Sequence, residues 1–384
     1  MRIIYHHRTH GKDAQGVHIV EMIQAFRRLG HQVTEVSLAD PDPQKPEDAV
    51  REPLWRRLAR KVPFSMEILQ FGYNLFGFLL LCAAVLRARP DFIYERYALF
   101  NFAGVFVSRL FRIPLVLEVN SPLALEESGE SVLRLQRTAL RSEVFICNSA
   151  TRVIAVTGVL ASILIDSGVS PSRITVLHNG VSQDRFRPSP PDQQLRSALG
   201  LDNAFVFGFV GWFRRWHGLE MLIEAFALSG LADRSVKLLL VGSGPVLPVL
   251  QQAARRLNLA HAVVFSGSVP HAAVPSYMSL FDCAVQPAAN AYCCPMKIIE
   301  YLAMAKAVIA PDQANIREIV QHGVEGLLFQ PGDPRALASA LLAVYQDPGL
   351  LAGLTAGASV AIARKRLFWT ANAETVSSWF DPRC

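Results

Sequence analysis

Residues 205–226 read FVFGFVGWFRRWHGLEMLIEAF, and the reading of this stretch decides the fold. An apolar run comes first, then a loop bounded by Gly211 and Gly218, then apolar residues at helical spacing. A short continuous apolar run suits a strand buried on both faces, and an amphipathic helix after it suits one step of a parallel sheet. The same step recurs along the chain. RIIY, QVTEV, DFIYE, PLVLEV, RVIAV and RITVL precede a proline-rich break, RFRPSPPDQQ at 185–194; FVFGFVG, VKLLLVG, AVVFSG, FDCAVQP, KAVIAP and GLLF follow it. Helix-length amphipathic runs such as GVHIVEMIQAFRRLG lie between them. Two such series split by a linker predict two doubly wound α/β domains, with a site at the carboxyl ends of the strands, in the cleft between them.

Length and composition agree with this. A chain of 384 residues is too long for one ordinary core and suits two domains. It is 51% hydrophobic and only 18% charged, as large buried sheets or contact with lipid would require. A net charge of +6 fits anionic small molecules or anionic lipid, and no aromatic-and-basic nucleic-acid module stands out. The six cysteines (Cys82, Cys147, Cys283, Cys293, Cys294, Cys384) have no metal-ligand spacing and read as reduced thiols. The opening MRIIYHHRTHG lacks the apolar core of a signal peptide and reads as a first strand entering a loop.

One segment points to lipid. Residues 68–88, ILQFGYNLFGFLLLCAAVLRA, carry no charge before Arg87 and are long enough to span a bilayer. Gln70, Asn74, Gly72 and Gly77 speak against a span. The stretch REPLWRRLARKVPF just upstream sets Trp55, Leu58 and Phe64 among cations, as in a segment lying in an anionic interface. A core helix covering one face of a sheet is the other reading of the same residues.

Three strand-to-helix turns in the second half are candidate anion sites. The loop after FVFGFV carries Arg214, Arg215 and His217 between Gly211 and Gly218, near a helix start whose amides are free. VKLLLVGSGP repeats the plan with Gly242 and Gly244, a weak signal alone. The third is NAYCCPMKIIEYLAMAKAVIAPD at 290–312. Here Cys294 or Asn290 is expected to cap the helix, with Pro295 at its first position. Lys297 then falls in the first turn, where a cation opposes the helix dipole unless an anion is bound there. Glu300 projects from the same face one turn deeper, placed to accept hydrogen bonds from vicinal hydroxyls. Phosphate and ribose are the two handles of a nucleotide. The plainer alternative is an i,i+3 surface ion pair.

In combination these stretches resemble glycosyltransferase family 4, retaining enzymes of GT-B architecture. The resemblance is carried by FVGWFRRWHGLEMLIEAF, LLLVGSGP, VVFSGSVP, PMKIIEYLAMAKAVIAPD and IREIVQHGVEGLLFQPGDPRALASAL, and in the first half by GVHIVEMIQAFRRLGHQVTEV and ITVLHNGVSQDRFRP. The tail LFWTANAETVSSWF resembles the family's closing helix. It implies two Rossmann-like domains facing across a cleft. Residues 1–186 would be the acceptor domain, with the amphipathic region 51–88. Residues 187–360 would bind the nucleotide sugar, and 361–384 would form a helix crossing back to the first domain.

The resemblance also implies an activity: metal-independent transfer, with retention, from a nucleotide-diphosphate sugar, uridine by family habit. The acceptor would be a glycan or a lipid-linked molecule in polysaccharide or glycoconjugate synthesis. No cofactor, metal or nucleic acid is expected, and the place of action would be the cytoplasm, peripheral on the cytoplasmic face of a membrane. Residue by residue, Glu300 matches the glutamate that binds ribose, and Lys297 the lysine of a Ser-Pro-x-Lys variant that contacts the diphosphate, with Cys294 in place of the serine. Where the family signature has its first glutamate this chain has Tyr292, and where it has its phosphate-binding Arg and Lys this chain has Trp212 and His217. Arg214 or Arg215 would supply the missing charge. Asn120, after PLVLEV, stands where many members place a histidine near the donor sugar. Lys297, Arg214 and Asn120 are therefore the expected catalytic set. Gly16, Gly211, Arg215, His217, Gly242, Gly244, Tyr292, Cys294 and Glu300 would bind the donor, and His7, Arg96 and Glu118 the acceptor. A histidine cluster, HHRTH, follows the first strand but lacks zinc-ligand spacing. A sugar-nucleotide 2-epimerase of the same architecture, or a weakened sugar-nucleotide-binding subunit, are the alternatives.

Overall fold

The computed structural model of the chain describes residues 1–8, 14–37, 65–129 and 135–381. The chain divides into two compact units, Met1–His178 with Trp369–Cys384, and Asn179–Phe368. Each is built on a six-stranded parallel sheet.

In the first unit the strands are β1 (Arg2–His7), β2 (Gln32–Ser37), β3 (Phe92–Arg96), β4 (Leu115–Val119), β5 (Arg152–Ala155) and β6 (Ile174–Val176). Their order is β2-β1-β3-β4-β5-β6. Every residue of β3 and β4 is buried, whereas edge strand β2 alternates. Central strands of a parallel sheet are covered on both faces by crossover helices, which explains the unbroken apolar runs. In the second unit β7 (Phe205–Val210), β8 (Val236–Val241), β9 (Val263–Gly267), β10 (Cys283–Val285), β11 (Ala307–Pro311) and β12 (Gly326–Phe329) lie in the order β12-β11-β10-β7-β8-β9. The order reverses between β7 and β10, the point at which a doubly wound sheet opens a crevice at its carboxyl edge. These two parallel sheets are the expected Rossmann-like α/β architecture.

Gly16 lies in a helix: the first helix runs Ala14–Arg28, so Gly16 is buried within its first turn. The crossing back to the first unit falls between Phe368 and Trp369, because Pro348–Lys365 still packs on β11 and β12 and the chain turns at Arg366 in the left-handed region (φ 54°). The last helix, Trp369–Ser378, docks by stacking Trp369 on His18 at 4.6 Å and, just beyond it, Phe380 on Phe92 at 4.7 Å. The residues 51–64, His10, Gly11 and Cys384 lie outside the described residues.

The apolar segment is one helix, Ser65–Ala88. Tyr73, Gly77, Leu81 and Val85, each four apart, are buried against the unit. Phe71, Leu75, Phe76, Leu79 and Leu86 face outward, with Leu75 71% and Leu86 68% exposed. The helix is thus long and apolar enough by length and composition to cross a membrane, and it also covers a sheet face. On the neighbouring helix, Ala103–Phe111, Phe106 and Leu110 are exposed as well.

Gly208 marks the tightest point of the second sheet. A methyl built there would sit 2.1 Å from the buried ring of Phe281. Gly208→Ala should therefore cost about 1–3 kcal/mol of stability through overpacking. Urea unfolding followed by fluorescence reads this as a lower midpoint, and an unchanged midpoint would show that the ring yields freely.

Candidate functional site

The carboxyl end of β7 turns into a loop that begins at Gly211, in the left-handed region at φ 144°. A side chain at Gly211 would place its Cβ 2.3 Å from Cε of Lys297. The glycine is needed because the lysine stem lies against it. Gly242 and Gly244 (φ 127° and 157°) face the same loop: a Cβ on Gly242 would meet the Gly211 carbonyl at 2.1 Å, and one on Gly244 the Phe213 carbonyl at 2.4 Å. Phe213 N donates to the Ser243 carbonyl at 2.7 Å, closing the two loops on each other. These glycines hold the loop in place by permitting close approach, a use that the GxG spacing alone did not reveal.

The helix carrying Lys297 and Glu300 runs Met296–Ala303. Neither Cys294 nor Asn290 caps it: Pro295 takes the cap position itself, one residue earlier than expected, and supplies no side-chain acceptor. Cys294 Sγ instead accepts from Asn179 N at 3.2 Å. Asn290 and Cys293 are held through their carbonyls, both accepting from Nδ2 of buried Asn315 (3.0 and 2.7 Å). The helix start thus keeps backbone donors free of side-chain caps, an arrangement suited to anions. Tyr301 ties the helix to the strand end, its hydroxyl accepting from Val210 N at 3.0 Å.

Lys297 does not form a surface pair with Glu300, which is buried. Its ammonium donates to Nε2 of His217 at 3.0 Å and lies 5.5 Å from the centre of the Phe209 ring. Burial pushes its pKa down to about 8, with Glu300 pulling the other way. Burial pushes Glu300 up to about 7, against the pull of Lys297 and Arg185. His217 is driven down to about 3 by burial and by the Lys297 charge. The imidazole is therefore uncharged at neutral pH and serves Lys297 as an acceptor, not as a second cation. Arg214 and Arg215 are exposed in the same loop, Arg214 lying 4.9 Å over the Trp216 ring. Half-buried Tyr292 accepts from Asn290 Nδ2 at 3.4 Å.

Lys297, His217, Gly211, Glu300, Cys294, Tyr292, Arg214, Arg215, Gly242 and Gly244 thus all belong to the second unit. Gly16, His7, Arg96, Glu118 and Asn120 belong to the first. There His7 is fully buried and donates from Nε2 to Glu35 (2.9 Å), while His6 binds Glu95 at 2.5 Å and accepts from the Tyr73 hydroxyl at 2.9 Å. The two histidines thus turn to separate carboxylates. Glu118 accepts from Arg96 (3.1 Å), Asn120 Nδ2 (2.5 Å), the Tyr94 hydroxyl and His18 Nε2 (3.3 Å). Burial pushes its carboxyl up, but His18 and Arg96 outweigh this and hold it at about 2. Arg96 and Glu118 thereby satisfy each other inside the unit, and Asn120 is oriented by the same carboxylate.

Residues 15–185 match the family model described as Glycosyltransferase Family 4, and residues 204–347 the one described as Glycosyl transferases group 1. The protein is a glycosyltransferase. The glycosyltransferase is 28% identical over 292 residues to D-inositol 3-phosphate glycosyltransferase 1 of Catenulispora acidiphila, covering 72% of this chain and 69% of that one. It is 27% identical over 262 residues to 2-deoxystreptamine glucosyltransferase of Streptomyces kanamyceticus, covering 66% and 67%. The solved structure of Anabaena HepE in complex with UDP-glucose superposes with a TM-score of 0.73 at 25% identity, over 98% of this chain and 100% of that one. The GT-B architecture of the glycosyltransferase follows from these likenesses and from the two sheets.

The partners that sequence reasoning missed are Tyr301, Asn315, Arg185 and His271. Arg185 Nη1 donates to Nδ1 of His271, 86 positions away, so no local pattern joins them. The Lys297 environment generates a direct test. The 13Cε resonance of Lys297, assigned through Lys297→Arg, should titrate near pH 8. In Gly211→Ala, where the stem is displaced, its midpoint should return toward the ordinary lysine range. A wild-type midpoint above 10 would contradict the burial described.

Proposed function

We propose that this glycosyltransferase takes a sugar from a nucleoside-diphosphate sugar, a UDP sugar, and passes it with retention to a glycan or lipid-linked acceptor. The observation that carries the donor assignment is the Lys297 ammonium, held by an uncharged imidazole at an uncapped helix start, with Glu300 one turn deeper. Departure of the nucleoside diphosphate builds negative charge on its phosphates. A desolvated ammonium and free helix amides stabilise that charge far better than water does. Glu300 accepts from the ribose hydroxyls, and Tyr292 meets the sugar and sets its preference. Glycosidase-like double displacement calls for two carboxylates flanking the bond. Tyr292 puts a phenol where the family signature has its first glutamate, which removes the most obvious partner for Glu300, so delivery on the face of the leaving group is the route proposed. HepE, described with UDP-glucose bound, supports uridine as the base.

Lys297→Ala and Glu300→Ala should each lose about 1.5–3 kcal/mol of UDP binding, roughly 10- to 100-fold. In the wild type affinity should be greatest between pH 7 and 8. Above about 8 the Lys297 ammonium is lost, and below about 7 the Glu300 carboxylate takes up a proton. Calorimetry across pH reads both effects, and unchanged affinity in both variants would sink the donor site. Incubation with the donor alone separates the classes: slow hydrolysis fits a transferase, a new epimer an isomerase.

The acceptor reading includes contact with anionic lipid on the cytoplasmic face of a membrane. Phe71, Leu75, Leu79 and Leu86 on one helix and Phe106 and Leu110 on the next offer an apolar face, and exposed Arg87, Arg89 and Arg112 supply the complementary charge. The wild type should sediment with vesicles of anionic phospholipid and much less with zwitterionic ones. Leu75→Asp with Leu79→Asp should cut that binding at least tenfold while leaving UDP affinity intact. Equal sedimentation of the double variant would remove this face from the reading.

A further inference from the structure

Four carboxamides of the second unit grip the loop that joins β10 to the Lys297 helix. Gln286, just past β10, donates from Nε2 to the Ala288 carbonyl at 2.6 Å. Gln313, just past β11, donates from Nε2 to the Ala289 carbonyl at 3.2 Å. Asn315 Nδ2 donates to the carbonyls of both Asn290 and Cys293 (3.0 and 2.7 Å), and Asn179 Nδ2 to the Cys294 carbonyl at 2.8 Å. A carbonyl only accepts, so each contact fixes the carboxamide with its NH2 toward the loop. The side-chain oxygens of all four are left buried without a hydrogen-bond partner. Unpaired buried acceptors are costly and rare in folded proteins. Four of them around one loop mark a loop held in one shape.

That shape has a direction. In a trans peptide the carbonyl of one residue and the N–H of the next point opposite ways. With the carbonyls of Ala288, Ala289 and Asn290 turned onto carboxamides, the N–H groups of Ala289, Asn290 and Ala291 face away from them. Among the described residues these N–H groups meet no acceptor. Tyr292 follows directly. The loop begins against the turn that holds the partner of Lys297: a Cβ on Gly218 would sit 2.9 Å from the Ala288 Cβ, and His217 precedes Gly218. It ends in the helix Met296–Ala303. Gln286, Gln313 and Asn315 lie just past the carboxyl ends of the neighbouring strands β10 and β11, so the sheet itself shapes the loop. The helix is anchored separately, by Tyr301 on Val210.

We propose that Gln286, Gln313 and Asn315 are positioning residues for the sugar end of the donor. They set the face that residues 288–292, Tyr292 included, present to the transferred sugar, and they leave the nucleoside diphosphate to Lys297 and Glu300. Asn179 closes the same grip at the helix start. The proposal rests on the donor reading given above and extends it to the groups that hold the sugar-facing loop.

The first test needs no ligand. In 1H–15N spectra of the full-length protein the Asn315 side-chain NH2 should exchange with solvent about a hundredfold more slowly than that of exposed Asn203. Equal exchange overturns the grip. Calorimetry then titrates UDP, UDP-glucose, UDP-galactose and UDP-N-acetylglucosamine. The wild type should separate the three sugars by about fivefold or more. Asn315→Leu and Gln286→Met keep the side-chain volume and delete the donors. Each should shrink that spread to about twofold or less, with UDP affinity within about twofold of the wild type. An unchanged spread, or a loss shared equally by UDP and the three sugars as plain structural damage gives, overturns the positioning role. So does a wild type that binds UDP and ranks the sugars equally. Absence of wild-type binding to all four probes overturns the donor reading, and this extension with it. Should Asn315→Leu fail to fold, Gln286→Met and Gln313→Met carry the same expectation.

Discussion

A single ammonium governs the architecture of the second unit. Lys297 reaches from the start of its helix to the end of β7, and almost everything nearby is arranged so that it can lie there. Gly211 gives up a side chain to make room, Phe209 offers a ring face, His217 offers a lone pair, and Tyr301 fixes the helix against the strand. Taking a cation out of water is costly, and burial accordingly pushes the Lys297 pKa down. An imidazole that cannot itself be charged relieves only part of it. On the donor reading proposed above, the remainder is recovered when the diphosphate binds.

The first unit treats its buried charges differently. Glu118 is surrounded by Arg96, His18, Tyr94 and Asn120, with donors enough to keep it ionised far below neutral pH. Such a closed network orients groups, as it orients Asn120, but it has little left to offer a ligand. Among the described residues Lys297 has no carboxylate in ion-pair contact. One unit carries a finished electrostatic circuit and the other an open one.

Much of this was legible in the sequence. The strands of the described residues were all legible, the central ones as short apolar runs because parallel strands covered on both faces leave no room for polar alternation, and edge strand β2 as an alternating one. Lys297 and Glu300 stand out because a cation in a first helical turn and a carboxylate in a buried helix both need explaining. What could not be read was whatever depends on distance across the fold. His271 finds Arg185 and Asn315 finds the 290–293 loop with no local pattern to announce it. The spacing of GSG marks a candidate phosphate turn, but it does not announce how closely Gly242 and Gly244 approach Gly211 and Phe213. The helix Ser65–Ala88 left two readings open because apolar residues on both faces give periodicity nothing to separate.

The interlocked glycines also bear on how such a site can diverge. Gly211, Gly242 and Gly244 each touch the main chain or the stem of Lys297, so no mutation there is small. Tyr292 is only half-buried and Arg214 and Arg215 are exposed, so those positions can change without moving the lysine. On the donor reading proposed above, selection for a new sugar finds its raw material at the rim of the loop, while the geometry around Lys297 passes unchanged from one specificity to the next.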